Sequence, residues 1–261
     1  MSRSATLPIN GMDKIDIAPF ADAAAADLKL FAILHDREPS GQIIEALHRC
    51  RFQEQLSLLL HGCEGKAALR AFDNAIEHIP DPIDIASLDD LAAEYACVYL
   101  RFKYRASPTE SVWFDDDGLE RQTPMFQVRS WYHRHGLTSG DWANRPDDHI
   151  VLQLEFLTHL FRSARSSTEL PDITHFMDQH ILRWTNLFAA QLKKAEAADY
   201  FVALAGITAA YLEELRNHLE ELTGVPRPVA KEGPKPTERP ACKPASKDDN
   251  KPYLPGVGPG W

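Results

Sequence analysis

Residues 148–165 read DHIVLQLEFLTHLFRSAR. Ile150, Leu154, Leu157 and Phe161 recur at intervals of three and four, which places them on one face of an α-helix. The stretch predicts a helix from Asp148 to about Arg165, and the same period extends outward from it in both directions. Downstream, residues 171–194 and 197–222 fit two further helices. Upstream, a helix from about Pro124 to His135 stops at Gly136, a natural residue just past a helix end. Ser87 precedes Leu88, Leu91, Tyr95, Val98 and Phe102, which form one apolar stripe, and Ser87 with Asp90 makes a capping box. Residues 65–78, 52–60, 42–51 behind a Ser40 cap, and 20–36 complete the helical set. No alternating run is bounded by hairpin turns, so the fold class is all-α, a helical bundle.

Two connections interrupt this pattern. Residues 103–123 hold Pro108, Gly118 and the run Asp115-Asp116-Asp117, and a loop of that length inside a compact domain is often functional. Residues 137–147 are polar, contain Pro146 and read as a hinge. The resulting organisation is an N-terminal extension (1–19), an N-terminal helical domain (20–136), the hinge (137–147), a smaller C-terminal helical domain (148–225) and a tail (226–261). Half of the prolines lie in that tail, where Lys or Arg recurs every fourth position from Arg227 to Lys251. Such a composition cannot bury enough apolar surface to fold alone, so the tail is expected to be disordered. It ends in an apolar run, Tyr253 to Trp261, that fits a docking motif for a partner.

Charge narrows the function. The chain carries a formal −10, and the tail's +3 leaves −13 on residues 1–225. Nucleic acid is excluded as the main partner, since that needs a basic footprint, whereas a basic peptide suits an acidic surface. The cysteines, Cys50, Cys63, Cys97 and Cys242, show no C-x-x-C spacing. They fit a reducing compartment, with three of them as small core residues. Residues 1–16 hold neither an apolar core segment nor paired arginines, so no export signal is read there. The longest nearly apolar run, Tyr200–Leu212, is too short to span a bilayer. A cytoplasmic protein without stable membrane insertion is expected.

Motifs for catalysis are absent. Glu45-x-x-His48 lacks the second such pair that a bundle di-iron site requires. Aligning Gly118 with position six of a calcium loop puts Trp113 and Pro124 where carboxylates are needed. Gly62 to Lys66 lacks the spacing of a phosphate-binding loop, and the glycines of 256–260 have no strand–helix context. There is no nucleophile elbow, and His133 and His135 read as solvent-facing. No cofactor or metal is expected. What remains is Pro146-Asp147-Asp148-His149-Ile150, a helix start. Asp147 suits the N-cap, Asp148 the first turn, and His149 near the positive helix end is biased toward its neutral form.

That start has company in the sequence. Glu110-Ser111-Val112-Trp113, Gly118-Leu119, Tyr132 to Leu137, Pro146 to Ile150 and Leu154 to Leu157 follow one another in an order that resembles the TorD/DmsD/NarJ family of redox-enzyme maturation chaperones. Leu91 to Tyr95 continuing to Tyr99, then His180 to Trp184 and Phe201 to Leu212, extend the resemblance over about residues 20–222. The resemblance implies an all-α chaperone, not an enzyme, that binds the leader of a molybdenum-cofactor oxidoreductase catalytic subunit. It would aid cofactor insertion and delay export. Asp148 and His149 match the family's hinge pair implicated in leader binding, and Tyr95, Tyr99 and Trp113 its aromatic groove. A leader with adjacent arginines and an apolar stretch needs an apolar groove beside carboxylates, for which Glu94, Glu110, Asp147 and Asp148 are candidates. The chain departs from the family at Arg101 to Tyr104, where many members place a Gly-Pro turn, and in its tail. The resemblance is compatible with a monomer or a domain-swapped dimer. Two other readings are an adaptor or assembly subunit of a respiratory complex docking through the tail, and a small helical enzyme using Asp148 and His149.

Overall fold

The computed structural model describes residues 16–101, 103–140 and 144–228. Most of the N-terminal extension, Phe102, Cys242 and the tail beyond Pro228, with its apolar end, lie outside the described residues. In chain order the helices are α1 (Ala18–Asp36), α2 (Gly41–Arg49), α3 (Phe52–Gln55), α4 (Cys63–Glu77) and α5 (Ile85–Tyr95), then α6 (Ser111–Phe114), α7 (Thr123–Arg134) and α8 (Ile150–Ser163), and finally α9 (Leu170–Gln179), α10 (Thr185–Lys194) and α11 (Asp199–Thr223). A π-helical turn, Ala96–Leu100, prolongs α5. Among the described residues strand geometry is confined to two isolated bridges, Asp16 with Ser166 and Thr109 with His149.

The core explains the pattern. Ile150, Val151, Leu154, Leu157 and Phe161 of α8 are all at most 1% exposed and face a cluster that includes Ala21, Ala24, Leu28 and Phe31 of α1. Burying each large aliphatic or aromatic side chain contributes about 1.5–3 kcal/mol. The small residues of α1 let α8 run closely along it, and this is the most extensive helix pair in the fold. The second is α4 against α11, where the absence of a side chain at Gly65 matters. A Cβ there would stand 2.6 Å from Glu214 Oε2 of α11. That carboxylate accepts the backbone N–H groups of His61 and Gly62, so α11 holds the turn that leads into α4. Both pairings join helices from opposite sides of residues 137–147.

Several expected boundaries move, each for a tertiary reason. Residues 52–60 are helical only over α3, because the buried Asp27 carboxylate accepts Ser57 N–H at 2.6 Å and Leu58 N–H at 2.9 Å and holds that backbone extended. The α5 cap is Asp84, accepting from Ser87 N–H at 2.7 Å, and not Ser87 with Asp90. Residues 171–194 are two helices, broken at His180 and joined by the 3₁₀ turn Ile181–Arg183. The long loop 103–123 contains the short α6. Cys50 and Cys97 are half-buried and Cys63 is exposed, so none of these three is a core residue. Gly136 and Gly224 do adopt the left-handed conformation, φ +71° and +66°, that ends α7 and α11.

Candidate functional site

The two interrupting connections meet. Residues 107–111 run against residues 146–150: Glu110 N–H donates to Asp148 O at 3.1 Å and Ile150 N–H to Pro108 O at 2.8 Å. These bonds satisfy backbone groups in a segment buried from Ala106 to Ser111, where water cannot do so. The α8 start is therefore bolted to the loop before α6.

The acidic residues divide their roles. Asp148, fully buried, turns sideways: its Oδ2 accepts Ser111 N–H at 2.7 Å and Ser111 Oγ–H at 2.6 Å. Burial pushes its carboxyl up to about 6, against the opposing pull of the Ser111 hydrogen bonds. Glu110, also fully buried, accepts Gln153 Nε2–H at 3.0 Å and faces His180 Nδ1 at 3.1 Å, with Arg183 at 3.6 Å. Arg183 lies 3.9 Å from the Phe114 ring centroid. Asp147 is 2% exposed and pairs with Arg129, whose Nε donates to Oδ2 at 2.5 Å. It does not cap α8, and neither does Asp148. The cap is His149, whose Nδ1 accepts Val151 N–H at 3.2 Å. The neutral form of His149 follows mainly from burial, which takes its pKa down to about 3, with Arg145 pushing the same way.

An aromatic and histidine chain runs inward from that cap. Tyr99 lies 6.5 Å from the His149 ring and stacks on Tyr95 at 4.7 Å. Tyr99 Oη is 2.6 Å from His35 Nδ1, and His35 Nε2 is 2.9 Å from Thr208 Oγ1. Thr208 commits its proton to Leu204 O at 2.8 Å, so His35 carries its proton on Nε2 and accepts from Tyr99. Tyr95 Oη donates to Asp36 O at 2.7 Å, and Asp36 also receives Arg145 at 2.6 Å.

Of the expected site residues, the structure brings Asp147, Asp148, His149, Glu110, Tyr95 and Tyr99 into one contiguous network. Trp113 joins it from α6, half-buried, with Nε1–H donating to Ser107 O at 3.0 Å. Glu94 points elsewhere: its Oε1 accepts Tyr104 Oη–H at 2.7 Å and Ala198 N–H at 2.8 Å, at the start of α11. Sequence reasoning missed Ser111 and Gln153, which hold the carboxylates, and Arg129 and Tyr132, which reach residue 147 from α7. Only the three-residue spacing of Arg129 and Tyr132 hinted that they share a face. His133 is exposed, while His135 is half-buried and stacks on Trp131.

On the surface this network opens as a cleft of about 250 Å³ lined by Arg129, Tyr132, His133, Thr138, Ser139 and Asp147. Asp147, itself buried, is the carboxylate that lines it. A second hollow, lined by Glu45, His48, Arg49, Asp81 and Pro82, lies apart from the network. Among the described residues no group of three or more His, Cys, Asp or Glu side chains is arranged to hold a metal ion. No helix among them is long and apolar enough to cross a membrane.

A family model described as the nitrate reductase delta subunit, of the TorD/NarJ family, matches residues 64–190, which span the loop, the cleft and α8. The chaperone protein TorD of Vibrio cholerae serotype O1 is 29% identical over 194 residues, covering 71% of this chain and 87% of that protein. Over these residues the chain is similar to the TorD/DmsD/NarJ chaperone family. A TorD of Vibrio parahaemolyticus is 23% identical over 207 residues, 75% of this chain and 94% of that protein. A protein of Haemophilus influenzae described as a probable Tat proofreading chaperone DmsD is 29% identical over 107 residues, 41% of this chain and half of its own length. The similarity runs through the same stretches, in the same order, as the motifs read along the chain.

Proposed function

We propose that this protein is a cytoplasmic chaperone that binds the N-terminal leader of a molybdopterin-containing oxidoreductase subunit and holds it until the cofactor is inserted. The observation that carries this reading is a buried carboxylate, Asp147, presented in a cleft at the α8 start of a chain similar to the chaperone family. A leader arginine brings a planar fork of donors that matches a carboxylate, and the −13 body attracts it. Asp147 is the contact group. Asp148, His149 and Glu110 set the shape of the junction through Ser111, Val151 and Gln153, and Tyr95, Tyr99 and Trp113 stiffen its apolar backing.

The work is binding and not catalysis. Asp148 and His149 adjoin in sequence, but the carboxylate faces Ser111 and the imidazole Nδ1 is used by Val151 N–H, so neither is aimed at a shared reactant. One chain makes the α1–α8 contact within itself, and a domain-swapped dimer would make the same contact between two chains. The test is co-purification from cells that express the client subunit with or without its leader. The reading predicts capture of the leader-bearing precursor and loss of capture when the leader is deleted. Capture only of mature, assembled enzyme contradicts it.

A further inference from the structure

The Asp147 carboxylate is incompletely used. Its Oδ2 accepts from Arg129 Nε, while its Oδ1 is buried and has no hydrogen-bond partner. A buried carboxylate oxygen left without a donor is costly, and a carboxylate is shaped to take two parallel N–H groups from one guanidinium. The neighbouring arginine–carboxylate pairs do not share this deficit. Asp36 receives both Arg37 and Arg145, and Glu110 receives Gln153 and faces His180 on both oxygens.

Three further features surround that unused edge. The cleft that Asp147 lines has a volume of about 250 Å³, on the order of eight waters at ~30 Å³ each, enough for the end of an arginine side chain. Arg129 is 30% exposed, so its side chain reaches the surface beside the cleft. It also sits 5.5 Å from the ring of Phe126, one turn back along α7, and Phe126 is 53% exposed. That ring already lies beside the guanidinium in the pair and stays within its reach when the Asp147 bond is given up.

We propose that Arg129 is an internal stand-in for a client arginine, and that loading the cleft exchanges the Arg129 guanidinium on Asp147 for one supplied by the client. The inference rests on the leader-binding reading for the identity of the client, but the guanidinium chemistry stands on the geometry alone. Addition without exchange would place the incoming cation beside Arg129 around one carboxylate, a like-charge pair in a half-closed cleft. Exchange keeps one cation per carboxylate and lets the newcomer use both oxygens. Arg129 thereby sets a threshold: a single-point cation such as lysine gains nothing over the resident pair, whereas a fork gains the Oδ1 bond.

The test uses the full chain with Arg129→Ala, Arg129→Lys and Asp147→Asn. The probes are ethylguanidinium, ethylammonium and a synthetic peptide with two adjacent arginines before an apolar stretch. Ethylguanidinium is expected to raise the melting temperature of Arg129→Ala more than that of the unmodified protein, ethylammonium less, and neither in the Arg129→Ala/Asp147→Asn double variant. The peptide is expected to bind Arg129→Ala about tenfold more tightly than the unmodified protein. Arg129→Lys, which keeps the charge beside Asp147, is expected to gain affinity by a smaller factor, and it decides the matter if Arg129→Ala does not fold. Peptide affinity unchanged or weakened in both variants, with no preference for ethylguanidinium, overturns the proposal. Rescue of Arg129→Ala by ethylguanidinium, without peptide binding by any form, retains the guanidinium site and removes the leader reading.

Discussion

Asp148 and His149 stand side by side in the chain and titrate in opposite senses. Burial holds His149, and likewise His35, near pKa 3 against an ordinary 6.5, so both resist protonation while the protein is folded. Their contribution to stability is complete above about pH 6.5 and is lost as the pH falls toward 3. Asp148 is raised to about 6 from 3.8, so its contribution is present below 3.8 and lost as the pH rises through about 6. Between those limits unfolding takes up protons on two histidines and releases one from Asp148, and acidification weakens the fold on balance. Asp148→Asn removes the offset. Chemical denaturation at stepped pH is expected to show a steeper loss of stability on acidification from about pH 6 to pH 4 in that variant than in the unmodified protein. Parallel curves would show that Asp148 does not take up the proton. The sequence made Asp147, Asp148 and His149 legible as a helix start with a neutral histidine. Which of the three caps the helix was not legible, because Asp148 is claimed by Ser111, distant in sequence, and Asp147 by Arg129.

Helices with a continuous apolar stripe were legible nearly to their ends, as α8, α7 and α11 show, because 3.6-residue periodicity survives any tertiary arrangement. Breaks imposed from outside were not. The interruption between α9 and α10 falls at His180, which turns to the Glu110 carboxylate, and the end of α3 is set by Asp27. The same dependence appears where α11 meets α9. Arg216 of α11 is fully buried and forms a two-pronged pair with Asp178 at 2.8 and 2.9 Å, and Arg216 also donates to Val225 O. Breaking a buried pair from one side leaves a charge without its partner and costs about 3–5 kcal/mol. Arg216→Ala is expected to lose that much in denaturant unfolding, whereas Arg216→Met with Asp178→Leu recovers most of it. Equal losses in the two variants would mean that the ion pair itself, and not packing or the relief of an unpartnered charge, is what Arg216 and Asp178 supply.

Taken over its full described length, the protein is a bundle whose two irregular connections are tied together at one place. Helix pairs α1–α8 and α4–α11 join elements from the two sides of residues 137–147. The family resemblance singles out residues 146–150 and the loop before α6 in the sequence, and the acidic body suits a basic partner. The chemistry within it required the fold, since Asp147, Arg129, Tyr132 and Ser139 converge only once α7 and α8 are packed. The account rests on Asp147 as the receptor of a leader arginine. Calorimetric titration of the full chain with a client leader peptide tests it, comparing the unmodified protein with Asp147→Asn and the arginine pair with a lysine pair. Loss of a hydrogen bond to a charged partner is worth about 1.5–3 kcal/mol, on the order of ten- to a hundredfold in affinity. A fall of that size on Asp147→Asn with native helical circular dichroism retained, matched by a similar fall with the lysine peptide, is the predicted result. Equal affinities for all combinations, or no binding to the unmodified protein, would contradict it.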